Sequence, residues 1–467
     1  MVTVSIVNSK EILNNLRFDA EYYKPEFLKV INKLKRLGSE KLENIVGYNS
    51  IKKGIFYILA EEYRPKGIPF IRVSNIGNPF IEKKDLVYIS YETNEKHKST
   101  SLKPGDIVIS KGGTIGFVAI ITPDIGICNI SQDVIGVKNI PYKKISSYYL
   151  VIFLLTKYGQ LQLMRGRSQQ VQAHLTLDAI RNILVPIIDR KIQQYIEGLV
   201  KQAYEKRVLS EKKYQKAEKK LYEFLGIDRE EIEKLETEKA YETNFIYVKQ
   251  AFRFDAEYYH PKYLRIVDFL KRTPFEIKKL NEVVRISNEK INPTREPYKT
   301  KKLRYVPIAK IRESGEIYEW EEFYGWQAPS RARMVIRKGD ILVPSLAGTF
   351  DKVAIVPEEL DNQLATTGCF VVRVPEGYPE FFFLLFRTPL FKNQLERYTT
   401  GAIMSAVPRK VFENILVPDV PRDAQAEIAE LVKEYFKLRR ESRMLIQEAI
   451  RKVEEVIENE SANSSDR

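Results

Sequence analysis

One heptapeptide occurs twice in this chain. Arg17-Phe18-Asp19-Ala20-Glu21-Tyr22-Tyr23 returns, residue for residue, as Arg253-Phe254-Asp255-Ala256-Glu257-Tyr258-Tyr259. A proline follows two residues later in both copies, Pro25 and Pro261. The copies stand 236 residues apart in a chain of 467. Seven consecutive identities that include Phe, Asp, Glu and two Tyr do not arise by chance, so an internal repeat has to be tested before any local structure is assigned.

The test succeeds along the whole half-length. Gly105-Asp106-Ile107-Val108 matches Gly339-Asp340-Ile341-Leu342. Each is followed by Gly-Thr (Gly113-Thr114, Gly348-Thr349) and then by Val-Ala-Ile (Val118 to Ile120, Val353 to Ile355). Asn182-Ile183-Leu184-Val185-Pro186 matches Asn414-Ile415-Leu416-Val417-Pro418, and Phe70 to Ile76 resembles Tyr305 to Ile311 in pattern. The offset drifts by only a few residues. The chain is a tandem duplication with trimmed loops, and its function should need two of something.

Each half is long enough to bury a full core. Residues 1–188 form the first unit. Val2 to Val7 reads as a strand by alternation and β-branching. The repeated motif then leads into a helix from Pro25 to Leu37, where Phe27, Leu28, Ile31 and Leu34 recur at helical spacing and Gly38 is the stop. Ile55 to about Val137 reads as short β runs between turns. Ile145 to Tyr158 is apolar and helical, and Leu161 to Leu175 is polar and basic. Residues 189–226 carry a different pattern, with Ile192, Ile196, Leu199 and Ala203 stepping by four and three. The step breaks near Arg207 and Ser210, then resumes through Tyr214, Ala217, Leu221 and Phe224. A helix of that length, roughly 55 Å, with so narrow a stripe needs a partner helix.

A linker, 227–242, follows. The plan then repeats over 243–420, with Phe245 to Val248 in the place of the first strand. The second long helix spans 421–458, striped by Ile428, Leu431, Tyr435, Leu438, Ser442, Leu445 and Ala449, with Ser442 its one polar entry. The tail 459–467 reads as disordered. The fold class is therefore mixed α/β (α+β) and internally duplicated. Two β-rich globular domains are separated by two long helices packed as an antiparallel coiled coil.

The chemistry legible in the residues is sparse. Lys and Arg outnumber Asp and Glu by 76 to 62, a net charge of +14. On a folded chain that surplus points to a polyanion, most often nucleic acid. Cys128 and Cys369 do not correspond under the repeat. With only His97, His174 and His260 they make neither a disulfide framework nor a metal cluster of usual spacing. The first residues lack the pattern of a signal peptide, and no apolar run could span a bilayer; the expectation is a soluble, cytoplasmic protein with no membrane partner.

Lys111-Gly112-Gly113-Thr114-Ile115-Gly116 lacks the ending of a nucleotide P-loop. Asn78-Pro79-Phe80 lacks the second proline of an adenine methyltransferase tetrapeptide. Pro123-Asp124 and Asp133 lack the downstream lysine of a nuclease motif, and no Gly-x-Ser-x-Gly elbow occurs. A duplicated active site should have left matched catalytic residues, and none is matched beyond Asp19/Asp255 and Glu21/Glu257. An Asp-Ala-Glu leading a helix most simply caps and salt-links it, with a role at a partner interface as the alternative.

Candidates for DNA contact are polar and basic groups on loops of the β-rich parts. They are Arg72, Ser74, Asn75, Lys111, Thr114, Arg165, Arg167 and Gln169 in the first unit, and Lys310, Arg312, Ser345, Thr349, Arg397 and Thr399 in the second. Arg reads guanine and Gln or Asn reads adenine by paired hydrogen bonds, while Lys and Thr suit phosphates.

Taken together, the chain resembles the specificity subunit of a type I restriction-modification system. The resemblance rests on domain–helix–domain–helix order, on the heptapeptide, on Lys103-Pro104-Gly105-Asp106-Ile107 and Lys338-Gly339-Asp340-Ile341 ahead of a Gly-Thr, and on Ile-Leu-Val-Pro entering each helix. That family usually opens the helix with Glu-Gln. Here Ile192-Gln193-Gln194 and Asp423-Ala424-Gln425 keep only the glutamine. The resemblance implies a non-catalytic protein whose two target-recognition domains each read half of a split site in double-stranded DNA. It implies that the helix pair fixes the spacer and docks two methyltransferase subunits. No cofactor is then expected on this chain: S-adenosylmethionine belongs to those subunits, and ATP to a translocating restriction subunit. A self-contained methyltransferase or nuclease, and a coiled-coil adaptor with no DNA role, stay open as alternatives.

Overall fold

The computed structural model describes residues 18–58, 60–113, 115–167, 174–234, 241–399 and 405–465, with Val7, Ser9 and Ile12. Of the expected first strand only Val7 is therefore described, and Arg17, Thr114 and Gln169 lie outside the described residues. Two compact units emerge. One comprises residues 1–207 and 439–467, the other residues 208–438.

In each unit the heptapeptide ends in a short 3-10 turn, Ala20–Tyr23 or Ala256–Tyr259, followed by a helix with proline in its first turn. Proline is tolerated there because the first amide has no intrahelical partner. The helix Pro25–Arg36 buries Phe27, Val30, Ile31 and Leu34, and Pro261–Arg272 buries Tyr263, Ile266, Phe269 and Leu270. Basic residues close both helices, matching the negative end of the dipole.

One sheet has the same topology in both units. In the first unit Ile51–Lys53, Val134–Val137, Ile107–Ser110 and Val118–Ile120 lie side by side, all antiparallel. In the second the order is Arg285–Ile286, Cys369–Arg373, Ile341–Pro344 and Ala354–Ile355. The central strands Ile107–Ser110 and Ile341–Pro344 are buried throughout. Against this sheet pack the apolar helices Ser147–Leu155 and Pro379–Phe386. A threonine ends each: Thr156 Oγ1 donates to Phe153 O (2.6 Å) and Thr388 Oγ1 to Leu385 O (2.7 Å).

The long helices run Arg190–Leu225 and Arg422–Ser465. Within each unit a segment of one packs antiparallel on a segment of the other. In the first unit Ile196, Leu199, Val200 and Ala203 share a core with Ile446, Ala449, Val453 and Ile457. Tyr195 Oη donates to Glu448 Oε1 (2.6 Å), and Lys206 lies 2.5 Å from Glu441. In the second Ala217, Leu221 and Leu225 share a core with Ile428 and Val432, Lys213 lies 2.5 Å from Glu434, and Lys220 pairs with Glu427. As one residue number rises its partner's falls, the signature of antiparallel packing.

The polar interruptions in the stripes have local causes. Ser442 Oγ donates to Ala203 O (2.7 Å), which lets the helix backbones pack closely around a small residue. Arg207 leaves the helix face to reach Glu82 (2.5 Å), and the helix continues unbroken through Ser210.

Three local expectations are corrected. Phe245 to Val248 is not a strand but the start of the helix Phe245–Ala251, because Asn244 Oδ1 accepts from Ile246 N (2.9 Å) and caps it. Four apolar, β-prone residues cannot outvote a cap. The linker contains a helix, Arg229–Lys234, held by the buried Ile232. The second long helix also runs past residue 458 to Ser465, since extending an existing helix costs far less than starting one.

Candidate nucleic-acid interface

In the first unit the glycine loop begins where the strand Ile107–Ser110 ends. The strand is delivered by the Gly105-Asp106 turn, in which Asp106 Oδ2 accepts from Lys103 N (2.8 Å). Burial raises the Asp106 carboxyl above its usual value, against the pull of that hydrogen bond. Beyond the strand, Lys111 N donates to Asp133 O (2.7 Å), and Lys111 O accepts from Leu175 N (3.0 Å). The second contact brings the basic stretch after the helix Lys157–Arg165 back onto the glycine loop. A Cβ on Gly112 would lie 2.9 Å from both Asp133 Oδ1 and His174 Nδ1, so a larger residue would have to push those side chains aside.

The same construction recurs in the second unit. Val407 N donates to Ser345 O (2.8 Å), where Ser345 follows its strand as Lys111 follows the other. Both units therefore bring the loop after the central strand together with the chain that follows the next helix, Lys157–Arg165 in one and Pro389–Glu396 in the other. Of the sequence candidates, this gathers Lys111 with Arg167, which pairs with Leu175, in one unit, and in the other Ser345 and Thr349 with Thr399, through Ser405, which accepts from Ala347 N and donates to Thr399 O.

The individual candidates divide sharply by environment. Ser74 and Arg167 are exposed. Lys111 is half-buried, and burial, followed by the nearby Lys53 cation, lowers its ammonium pKa while Asp133 opposes the shift. Arg72 is also half-buried and donates to Asp85 O. Lys310 is paired with Glu319, and Arg312 stacks on Tyr318 at 4.8 Å. Thr349 Oγ1 donates to Leu346 O (2.7 Å).

Three others are scaffold groups placed under the surface rather than on it. Asn75 is buried, receives Arg72 N on Oδ1 (3.0 Å), and donates through Nδ2 to Glu82 O and Lys84 O (3.3 and 3.2 Å). Ser345 Oγ donates to Gly368 O (2.9 Å) and Thr399 Oγ1 to Glu396 O (3.0 Å).

Arg165 and Arg397 form a matched pair. Arg165 lies 3.8 Å over the Tyr22 ring and donates from Nε to Tyr22 O (3.0 Å), while Arg397 lies 4.5 Å over Tyr258. Each clamps the tyrosine of its repeated motif.

Other exposed groups lie outside the sequence candidates. Lys53 stands over Phe56 at 5.4 Å, and Phe56 is 75% exposed beside an exposed Tyr57. Gly54 admits this loop because a Cβ would lie 2.1 Å from Ser131 O. In the second unit Trp326, 60% exposed, donates its backbone N–H to Lys299 O (3.0 Å), and Lys301 lies 5.5 Å over Tyr298. Basic residues interleaved with aromatics, Lys52-Lys53-Gly54-Ile55-Phe56-Tyr57 and Tyr298-Lys299-Thr300-Lys301-Lys302, were the available signal. Cations near exposed rings suit phosphate contact and apolar contact with bases.

Among the described residues no group of three or more His, Cys, Asp or Glu side chains could hold a metal ion. Both cysteines are buried; burial raises the Cys128 thiol well above its usual value and the Cys369 thiol to about 12, so neither is a reactive thiolate. Among the described residues no helix is long and apolar enough to cross a membrane.

The duplication has a counterpart in known sequences. A family model described as the type I restriction modification DNA specificity domain matches residues 41–219 and again residues 273–450. The chain belongs to that family. The two specificity-domain matches cover most of both units, and the family is the one the repeated motifs pointed to. The EcoBI specificity subunit of a type I restriction enzyme from Escherichia coli is 28% identical over 138 residues, 30% of this chain and 29% of that protein. The chain thus spans under a third of the length of that curated relative. A solved HsdS subunit from Thermoanaerobacter tengcongensis is 34% identical over 38% of this chain and 45% of that one, with a TM-score of 0.32. A type I restriction-modification S subunit from M. genitalium is 14% identical over 89% of this chain and 95% of that one, with a TM-score of 0.42.

Proposed function

We propose that this specificity-domain chain is the non-catalytic DNA reader of a type I restriction-modification complex. Each unit reads one half of a bipartite site in double-stranded DNA, and the paired long helices set the spacer between the halves. The observation that carries this reading is the doubled specificity domain on a doubled scaffold, with loops that differ between the copies. Two different readers on one chain require a site with two different halves. Two methyltransferase subunits dock on the chain and bring S-adenosylmethionine; a restriction subunit, where present, brings ATP.

The test is selection of bound sites from a randomised duplex pool, first with the native chain and then with seven residues inserted in each long helix. A heptad adds about 10 Å of helix, or about three base pairs at roughly 3.4 Å each. The selected spacer should lengthen by about that number with both half-sites unchanged. An unchanged spacer would refute the ruler. A native chain that methylates or cuts DNA by itself would make it an enzyme instead.

A further inference from the structure

The heptapeptide is identical in both halves, yet folding accounts for only part of it. Tyr23 and Tyr259 are buried. Their neighbours Tyr22 and Tyr258 meet them edge-on at 5.0 Å and carry the arginine clamps. Asp255 accepts from Arg253 Nε and Nη2 (2.8 and 2.7 Å), so the aspartate is held by the arginine two residues before it. These contacts account for both tyrosines in each copy, and for Arg253 and Asp255 in the second.

They do not reach the phenylalanine, and the glutamate has an exposed ion pair in the first copy, Glu21 with Lys24 (3.5 Å), where the second copy has His260 in place of the lysine. Phe18 is 79% exposed and Phe254 is 83% exposed, and Ala20, Glu21, Ala256 and Glu257 are exposed beside them. Other positions next to the motif have drifted since the duplication, Lys24 against His260 and Glu26 against Lys262. An exposed aromatic kept in both copies, at a cost in solubility, is a residue type enriched at protein interfaces. The adjoining carboxylate argues against DNA as the occupant, because it repels phosphate. It favours a protein surface that offers an apolar pocket beside a cation. One face present twice fits two copies of one partner chain.

We propose that the Phe–Ala–Glu face of each heptapeptide is a docking site for a methyltransferase subunit, one subunit per face. This inference rests on the reading that the chain carries two such subunits. It adds the residues that hold them and predicts the receptor: an apolar pocket flanked by Lys or Arg.

The experiment uses the full chain co-purified with its cognate methyltransferase subunit, with stoichiometry read by native mass spectrometry. The wild type should carry two subunits. Phe18→Ala and Phe254→Ala should each carry one, and the double variant none, with affinity at the altered face weakened more than tenfold. Phe18→Leu should recover much of the binding, and Glu21→Lys should weaken it. Because both rings are exposed, truncation should leave the melting temperature and the DNA affinity of the chain alone unchanged, which separates a docking defect from misfolding. A double variant that still carries two subunits would overturn this inference and leave the DNA-reading function standing. A wild-type chain that binds no methyltransferase would overturn the docking part of the proposed function, and this inference with it.

Discussion

In the first unit the strand Ile68–Ile71 lies between Val87–Ile89 and Asn129–Ile130, a sheet of three strands. In the second the matching strand Lys302–Val306 lies between Glu321–Tyr324 and Gln363–Thr366, and Ala332–Ile336 adds a fourth. The companion sheet, by contrast, keeps one strand order and the same antiparallel pairings in both units. A side-chain lock on the small two-stranded sheet of each unit is shared as well. Gln162 exchanges two hydrogen bonds with the backbone of Leu184, and Gln394 does the same with Leu416. The shared sheet packs under the apolar helices and carries the core, so it cannot vary. The other sheet has varied in strand number, and in the second unit it carries the exposed Trp326 after the strand Glu321–Tyr324. A duplicated reader needs one half fixed and the other free to change.

The division into units can be broken most forcefully through the cores. Tyr149 and Phe381 occupy equivalent, fully buried positions on the apolar helices. Phe381→Ala and Tyr149→Ala should each cost about 3–5 kcal/mol. Both tryptophans, Trp320 and Trp326, belong to the second unit. Tryptophan fluorescence during denaturation should therefore shift far more for Phe381→Ala than for Tyr149→Ala. Equal shifts would show that the two units unfold as one body.

A subtler difference lies in the same pair. Tyr149 Oη donates to Pro186 O (2.7 Å), a bond Phe381 cannot make. Tyr149→Phe converts the first unit towards the second and should cost about 1–3 kcal/mol, because a buried carbonyl loses its partner. A neutral result by urea titration would show that the carbonyl is satisfied in another way.

The lysines of the proposed DNA-contact loops give a third comparison. Lys53→Ala and Lys111→Ala should weaken binding across all sequences and flatten the salt dependence by about one phosphate each. Substitutions confined to Lys299 and Lys301 should act the same way through the second unit alone. A change in preferred sequence rather than in salt slope would reassign these lysines to base reading.

The smallest effect expected is a difference in acid sensitivity. Hydrogen bonding from Arg373, aided by Arg337, holds the Glu289 carboxyl below the usual glutamate value. Its contribution is present above about pH 4.3 and is lost as the pH falls through the lowered folded value. The site is largely exposed, so solvent screening keeps the contribution small. The first unit has Gly54 at the corresponding place and no such carboxylate. Glu289→Gln should flatten the acid limb of the tryptophan-monitored transition slightly; an unchanged limb would remove Glu289 from the account.

The duplication, the mixed α/β character, the motif helices and the paired long helices were all legible in the sequence. They are written in identities and in periodic burial, which depend on near neighbours. The fate of individual polar residues was not. Asn75 reads as a loop residue until Lys84 O and Glu82 O, on a later turn, consume its amide. Arg165 and Arg397 read as basic surface until the distant Tyr22 and Tyr258 come under them. The sequence candidates were chosen by side-chain type on glycine-rich loops, whereas the exposed aromatic–basic loops around Phe56 and Trp326 are marked by interleaving, a weaker signal over so few residues.

The most direct test of the account is a map of methylated sites in DNA modified by this chain with its methyltransferase, before and after the whole of residues 243–420 is exchanged for the matching domain of another specificity-domain protein. The account predicts a bipartite motif in which one half changes while the other half and the spacer stay the same. A contiguous motif, or an exchange that alters both halves together, would contradict it.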